Sequence, residues 1–542
     1  MENPLRDLPR RAIAGVLAAL VLVIGLGVAI TSNANRRADR QEAFEDTAPD
    51  PTVGATASDT PTSQPSSLPG GGQASTSAAA EVSGSPVGSL SAAASPTPAA
   101  SAAVSSSAAS SPAASSSAAS PAAASSASPA TSPAASGPAT SPAASPAAPA
   151  NAAAAPEGTG AEIRPEFFGL HIHDPIGKRP SVPYGSIRLW DSGVTWKQLQ
   201  PSRGTFTFSA LDAQVAEANR AGKDIIMVLG VTPQWAASRP NEEANYGAGS
   251  ASEPKRLADW TTYVRALAQR YKGKITKWEI WNEPNAKLFW NAPAAKMVPL
   301  AKAAYTELKA ADPGNLVLSP GIIVRTQNSP LWLDQYLAAG GGQYADVIAA
   351  HFYVKTGERP EHLRPSIERI RSIMAARGVA GKPLWNTESS FGQVREPSEI
   401  YGEPTASAYV ARAMALFAGH GIRRVYWYAW DDYGFTGLYL SRSSNQPTKA
   451  GLAFGTMSRW LSGAKPASCE RLAAGASEGA FVCSFSRGAE RFQIVWHPGT
   501  TVSYDVPAGV KTVRTLGGTS VGIAGTSVRV GPVPVLITTA GS

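Results

Sequence analysis

Eight short apolar runs punctuate the chain beyond residue 160: EFFGLHIH (166–173), SIRLW (186–190), DIIMVLG (224–230), ITKWEIWN (275–282), NLVLSPGII (315–323), DVIAAHFYV (346–354), PLWNTE (383–388) and RRVYWYAW (423–430). Runs that are apolar on both faces and rich in β-branched and aromatic residues predict strands buried in a parallel sheet. Helical patterns lie between most of them. In ADWTTYVRALAQRYKG, Trp260, Val264, Leu267, Ala268 and Tyr271 share one helical face, and Gly273 follows as a stop. In FSALDAQVAEANRAG, Ser209 and Asp212 have capping-box spacing and Gly222 closes the helix. The alternation predicts an α/β fold, a (β/α)8 TIM barrel over residues 161–465. The piece DPIGKRPSVPYG after the first strand is too rich in proline and glycine for a helix, so the first crossover is expected to be degenerate. A doubly wound open sheet is the other reading, but no G-x-G-x-x-G follows the first strand.

From residue 466 the period changes. FVCSF, RFQIVWH, TVSYDV, KTVRTL, TSVRV and PVLITT are strand-like pieces separated by turns, which predicts a small C-terminal β-sandwich over residues 466–542. A separate carbohydrate-binding role for it competes with a purely structural one. Cys469 and Cys483 are the chain's two cysteines. They flank CERL and AFVCSF across a turn-rich link, which suits a cross-strand disulfide in an oxidising compartment; two buried thiols is the alternative, and a zinc site lacks further ligands nearby.

The N-terminal third has no such pattern. Residues 12–30 are uninterrupted by charge, with arginines on both sides; about 20 apolar residues span a bilayer of ~30 Å, more than a cleavable signal needs. Residues 1–40 are therefore expected to be a transmembrane anchor, with signal cleavage and secretion as the alternative. Residues 41–160 are almost wholly Ala, Ser, Pro, Thr and Gly, with no aromatic between Phe44 and Phe167. Frequent prolines prevent a continuous helix, so the segment reads as a disordered spacer, glycosylated or bare. A long uncharged stalk beside an anchor places the C-terminal part outside the cell membrane.

Charge changes the picture little. Six of the 48 Lys and Arg and nine of the 40 Asp and Glu lie in residues 1–156, which leaves 42 basic and 31 acidic residues beyond. A basic surface attracts anionic polymers, yet no nucleic-acid motif is present, and oligomeric state is not legible.

The chemistry concentrates at two strand ends. In a barrel the reactive groups sit where strands end and loops form the mouth. Glu283 ends the fourth strand in KWEIWNEPN, and Pro284 stops that strand and favours an extended backbone at Glu283. Glu388 ends the seventh strand in PLWNTE. Strict alternation puts Glu283 and Asn282 on opposite faces, so the strand must twist or bulge for both to reach the mouth. Two carboxylates facing each other are the working parts of glycoside hydrolysis. Trp281, Trp290, Trp235, Trp427 and Trp430 cluster at or after strand ends, where sugar rings could stack.

On WNEPN, the strand-seven TE, RLWDSGVTW, TPQWA and HFY, residues 162–465 resemble the retaining glycoside hydrolases of clan A, and within them family 39, which includes bacterial exopolysaccharide endoglycosidases. The resemblance implies Glu283 as general acid/base and Glu388 as nucleophile, with no cofactor. It implies Asn282 on the sugar 2-hydroxyl, with Arg188, His351 and Tyr353 orienting the nucleophile. Trp430 would floor the subsite of the cleaved sugar, with Trp427 and Trp235 as further substrate-facing aromatics.

Duller readings stand beside these. Either glutamate could serve only in an ion pair, and Glu279 is expected to pair with a lysine of the helix layer. Arg188 suits a buried ion pair with or without catalysis, His351 a satisfied core histidine, and Trp427 barrel filling. His171 and His173 have an i, i+2 spacing that suits a metal, yet no third ligand follows, so a hydrogen-bonding role is favoured. Asp431 and Asp432 suit substrate or solvent. Two functions follow: a membrane-anchored extracellular glycosidase, endo-acting if its mouth is an open groove, or a non-catalytic polysaccharide-binding protein on the same scaffold.

Overall fold

The computed structural model describes residues 160–325, 329–392, 401–431 and 436–539. The anchor and spacer expected at residues 1–40 and 41–160 fall outside the described residues, Gly160 apart, as does Asp432. Among the described residues no helix is long and apolar enough to cross a membrane.

Nine strands form one parallel sheet: β1 (Phe168–His171), β2 (Ser186–Leu189), β3 (Asp224–Leu229), β4 (Lys277–Ile280), β5 (Leu316–Leu318), β6 (Ile322–Val324), β7 (Ile348–Phe352), β8 (Leu384–Ser389) and β9 (Val425–Trp427). Their order is β5-β4-β3-β2-β1-β9-β8-β7-β6. The count exceeds eight because the run at 315–323 is interrupted by Ser319, Pro320 and Gly321, which divides the fifth staves into β5 and β6. Single bridges from Asn282 to Gly321 and from Leu318 to Val347 join the two ends, so the sheet meets itself as a (β/α)8 barrel.

The helices are α1 (Trp196–Leu199), α2 (Ser209–Arg220), α3 (Leu257–Arg270), α4 (Met297–Ala311), α5 (Leu331–Ala338), α6 (Leu363–Ala376), α7 (Glu403–Gly419) and α8 (Lys449–Leu461). None lies between β1 and β2, where prolines and glycines predict a degenerate crossover. In α3 the stripe of Trp260, Val264, Leu267 and Ala268 is buried, as its spacing requires. The capping box at α2 does not form. Ser209 is already the first helical residue and Phe208 is the cap; Asp212 instead accepts from Arg270 (2.9 Å) and from the Tyr271 hydroxyl (3.0 Å), so a tertiary ion pair takes the carboxylate that a local cap would use.

Alternation along each strand sorts the core into two layers. Phe168, Leu170, Met227, Leu229 and Ile280 face the helices and pack with Val215, Trp260 and Leu267. Ile226, Leu318, Ala349, Trp385 and Tyr426 face inward and form a separate plug. The plug closes the barrel interior and leaves the strand ends above it for polar side chains.

Seven further strands follow: β10 (Lys465–Arg471), β11 (Phe481–Arg487), β12 (Glu490–Trp496), β13 (Val502–Asp505), β14 (Val510–Thr515), β15 (Ser527–Val530) and β16 (Val535–Thr539). Five make an antiparallel sheet in the order β10-β11-β12-β16-β14, and β13 pairs with β15. One face of the larger sheet, with Cys483, Phe485, Phe492 and Ile494, joins the barrel's helix-side core. The other face, with Val482, Val495, Val513 and Ile537, packs on Tyr504, Val528 and Val530 of the two-stranded ribbon. Cys469 and Cys483 are directly opposed on β10 and β11 and form a disulfide.

Candidate active site

Two interruptions of strand alternation place the polar groups at the mouth. After β4 ends at Ile280, Trp281 and Glu283 both adopt positive φ, +69° and +49°. The expectation of an extended Glu283 is therefore wrong. Tertiary hydrogen bonds override the local proline preference: the Trp281 amide donates to Leu229 O (2.7 Å) and the Glu283 amide to Gly321 O (2.8 Å). The kink turns the Trp281 ring outward against Trp260 and Trp290, and Asn282 and Glu283 both reach the mouth. In β8 the register slips between Ala350 and His351, so that Ala350 opposes Asn386 while His351 opposes Glu388. The extra residue lets Thr387 and Glu388 both point inward.

Arg188 is the hub. Its Nε donates to Glu279 Oε2 (2.7 Å), its Nη1 to Glu388 Oε2 (2.8 Å) and its Nη2 to Asn282 Oδ1 (2.7 Å). The Tyr353 hydroxyl donates to the other Glu388 oxygen, Oε1 (2.8 Å). His351 Nδ1 lies 2.9 Å from Glu283 Oε1. One ligand atom each of Glu283, His351 and Glu388 fall within 4.8 Å of one another, so the two carboxylates share one sugar-sized gap.

Glu279 corrects the sequence reading. It is fully buried inside the barrel, ion-paired to Arg188 and accepting from the Thr387 hydroxyl (2.8 Å), with no lysine of the helix layer involved. Gly321 makes room for it: a Cβ there would lie 2.2 Å from Glu279 Oε1 and 2.4 Å from His351 Nε2.

Electrostatics separates the carboxylates. Burial, and then the charge of Glu388, push the Glu283 carboxyl up to about 7. Burial would raise Glu279 too, but the Arg188 charge and the bonds from His351 and Arg188 hold it below the usual range. Burial opposes a charge on His351, yet Glu388, Glu279 and Glu283 together raise it to about 9. Burial and the Glu388 charge keep the Tyr353 hydroxyl protonated as a donor.

The aromatic expectations fare differently. Trp430 is 0% exposed and its indole donates to Asn445 Oδ1 (2.7 Å), so it does not floor a subsite. Trp427 faces the helix layer and packs on Phe391; it belongs to the core between sheet and helices and neither fills the barrel nor faces substrate, because Val425 and Trp427 alternate outward on β9. Trp235 packs on Trp196, donates to Gln200 O (3.0 Å) and carries the Arg203 guanidinium over its ring, committed to the α1 side of the structure. The inward residues of that strand pattern are Tyr426 and Tyr428. The Tyr428 hydroxyl lies 3.1 Å from His173 Nε2 and donates to Asp191 Oδ2 (3.0 Å), and its ring packs on His171. Period-two counting through RRVYWYAW singles out these tyrosines; selecting by residue type picks the tryptophans.

His171 and His173 do acquire a third group. Asp191, from the end of β2, brings a carboxylate oxygen within 4.8 Å of both, an approach that spacing along the chain does not show. His173 is already engaged, with Nδ1 3.0 Å from Asp431 Oδ1 and Nε2 on Tyr428, whereas neither buried ring nitrogen of His171 meets a hydrogen-bond partner among the described residues, so only His173 takes the hydrogen-bonding role expected of the two. Glu283, His351 and Glu388 have the other metal-like arrangement, but Arg188 supplies the cation there.

The cellulase family, glycosyl hydrolase family 5, matches residues 187–433. The structure of a family 39 glycoside hydrolase from Bacteroides cellulosilyticus WH2 superposes with a TM-score of 0.52 at 20% identity, covering 70% of this chain and 82% of that one. The barrel has the fold seen in clan A glycoside hydrolases. A GH39 beta-xylosidase from Caulobacter crescentus shares this clan A fold at TM-score 0.52 and 16% identity, over 70% of this chain and 98% of that one. In sequence, a segment of the clan A barrel is 26% identical over 163 residues to endo-1,4-beta-xylanase 1 of Gibberella zeae, 29% of this chain and 42% of that protein. The chain thus spans about two-fifths of the length of that curated relative.

Proposed function

We propose that this chain hydrolyses O-glycosidic bonds of a polysaccharide by double displacement, with Glu388 as nucleophile and Glu283 as general acid/base. The observation that carries the reading is the approach of the Glu283 and Glu388 carboxyls to within 4.8 Å around His351. Retaining enzymes hold the two groups ~5 to 5.5 Å apart, whereas inverting enzymes leave room for water at ~6.5 to 9.5 Å.

In the first step a Glu388 oxygen bonds to the anomeric carbon while the glycosidic bond breaks and the Glu283 proton passes to the departing oxygen. Arg188 and Tyr353, which hold both Glu388 oxygens, aim the nucleophile. Esterification removes the Glu388 charge, one of the causes that keep Glu283 protonated, so Glu283 becomes a competent base. In the second step Glu283 takes a proton from water, the hydroxide bonds to the anomeric carbon, and the Glu388 ester bond breaks. Asn282, whose Oδ1 is held by Arg188, presents its amide N–H to the sugar 2-hydroxyl.

Xylan-type chains are the first substrates to assay, since the relative in Gibberella zeae is an endo-1,4-beta-xylanase. We further propose that residues 1–40 anchor the enzyme with its barrel outside the cell and that cleavage is internal. The test compares wild type, Glu283→Gln and Glu388→Gln on xylan and a panel of other polysaccharides. Release of reducing ends by wild type alone is expected; no cleavage by wild type, with binding kept by both variants, would leave only the non-catalytic function.

A further inference from the structure

We propose that the cleft between the start of α6 and the C-terminal sheet binds the carboxylates of an acidic, uronate-bearing polysaccharide. This goes beyond the catalytic reading, on which only its choice of a polymer as ligand rests. The cleft has a volume of about 550 Å³, with Arg359 and His362 on the barrel side and Arg471, Phe481 and His497 on the sheet side.

Its charges are unevenly matched. Of its acidic residues, Glu361 is taken by the buried Arg412 (2.7 Å) and the Trp496 indole (2.7 Å), and Glu368 by Arg364 (2.8 Å). Arg359 and Arg471 make no ion pair among the described residues and stay open to a ligand.

Two glycines let the donors lie close against the backbone. Gly479 has φ +85°, and a Cβ there would lie 2.9 Å from His497 Nε2 and 3.5 Å from Arg471 Nη2. At Gly499 a Cβ would lie 3.5 Å from Arg359 Nη1 and 3.8 Å from His497 Cε1. His497 Nδ1 accepts from the amides of Gly499 (3.2 Å) and Thr500 (2.9 Å), which leaves the ring proton on Nε2 as a donor into the cleft. Two guanidinium groups and an imidazole N–H suit carboxylate recognition. Phe481, buried and stacked on Trp496 at 5.3 Å, backs the cleft on the sheet side.

Position favours a polymer over a lone anion. Arg359 follows Tyr353 by six residues, a stretch that reaches at most ~20 Å. Tyr353 holds Glu388, so the cleft lies within a few sugar units of the mouth. The excess of 42 basic over 31 acidic residues from position 157 onward attracts the same polyanion.

The experiment titrates full-length Glu283→Gln, which binds without turnover, with hexagalacturonate, xylohexaose and inorganic phosphate by calorimetry at low and high salt. Hexagalacturonate is expected to bind in a salt-dependent manner, about tenfold more weakly after Arg359→Ala or Arg471→Ala, with xylohexaose unaffected by either change. Unchanged hexagalacturonate affinity in the double variant overturns the proposal, and phosphate binding of equal strength at the two arginines overturns its assignment to a polysaccharide. The double variant with Glu283 intact keeps its cleavage of neutral chains, so a failure here is distinguishable from a failure of the catalytic reading.

Discussion

His351 Nδ1 lies 2.9 Å from Glu283 Oε1, while Nε2 of the same ring faces Glu279 Oε1 at 3.6 Å. One imidazole thus links the proposed acid to the ion pair that Arg188 makes with Glu279, and through Arg188 to Glu388. Two cations and two carboxylates, with Glu283 protonated, form a buried cluster of zero net charge. Burial at this depth is tolerable only with such balance.

The first consequence concerns pH. Glu283 must carry its proton to assist departure of the leaving group, and burial with the Glu388 charge raises its pKa to about 7. The rate at low substrate concentration should therefore fall about tenfold per pH unit above 7. A profile of kcat/KM measured from pH 5 to 9 on an unactivated polysaccharide checks this; a flat profile through 8 removes Glu283 from the acid role.

Stability responds to the same group with a definite sign. A folded pKa raised from 4.5 to about 7 means that the folded state binds the proton more tightly, so stability is lost as pH rises through that window. Glu283→Gln cannot ionise and escapes the loss. Its Tm should exceed that of wild type at pH 8, by the equivalent of up to about 3 kcal/mol, and the gain should shrink toward pH 4. Thermal melts of both proteins at the two pH values decide the matter.

Azide distinguishes the two glutamates. In Glu388→Ala, azide would fill the space of the nucleophile and attack once, giving a glycosyl azide of inverted configuration. In Glu283→Ala the covalent intermediate still forms from an activated substrate, and azide attacks second, giving retained configuration. Analysis of the products by NMR should show opposite anomers; the same anomer from both variants would refute the assignment.

Glu279 is expected to matter as much for folding as for rate. Replacing it by Gln leaves Arg188 and His351 buried against one carboxylate fewer, which should cost about 3 kcal/mol in denaturant unfolding. The charge lost beside His351 should also lower the imidazole pKa, shifting the pH profile where a merely structural role would leave it in place. Unchanged stability and an unchanged profile would show that the pair contributes little.

How much of this was legible in the chain differs from element to element. Short runs apolar on both faces, amphipathic stripes such as that of Trp260 and Leu267, and the shift to strands after residue 466 follow from local geometry, and each element formed near its expected position. The strand-end glutamates were visible because proline and polar residues mark where a strand leaves the sheet. The tryptophans misled, since type alone does not say which face a residue occupies: Trp427 and Trp430 are core. Asp191 and Tyr428 went unnoticed because their meeting with His173 joins β2, β9 and the segment after β1, distant in sequence.

By itself the sequence determined the barrel, the appended strands and the two acidic side chains at its rim, because hydrophobic period and turn chemistry act over a few residues. Only the tertiary structure decided that Trp281 and Glu283 take positive φ, that β8 slips by one residue, and that Glu279 faces Arg188 across the barrel. Those outcomes depend on hydrogen bonds and ion pairs between strands far apart in the chain, whose combined strength exceeds the local backbone preference that any short stretch can express.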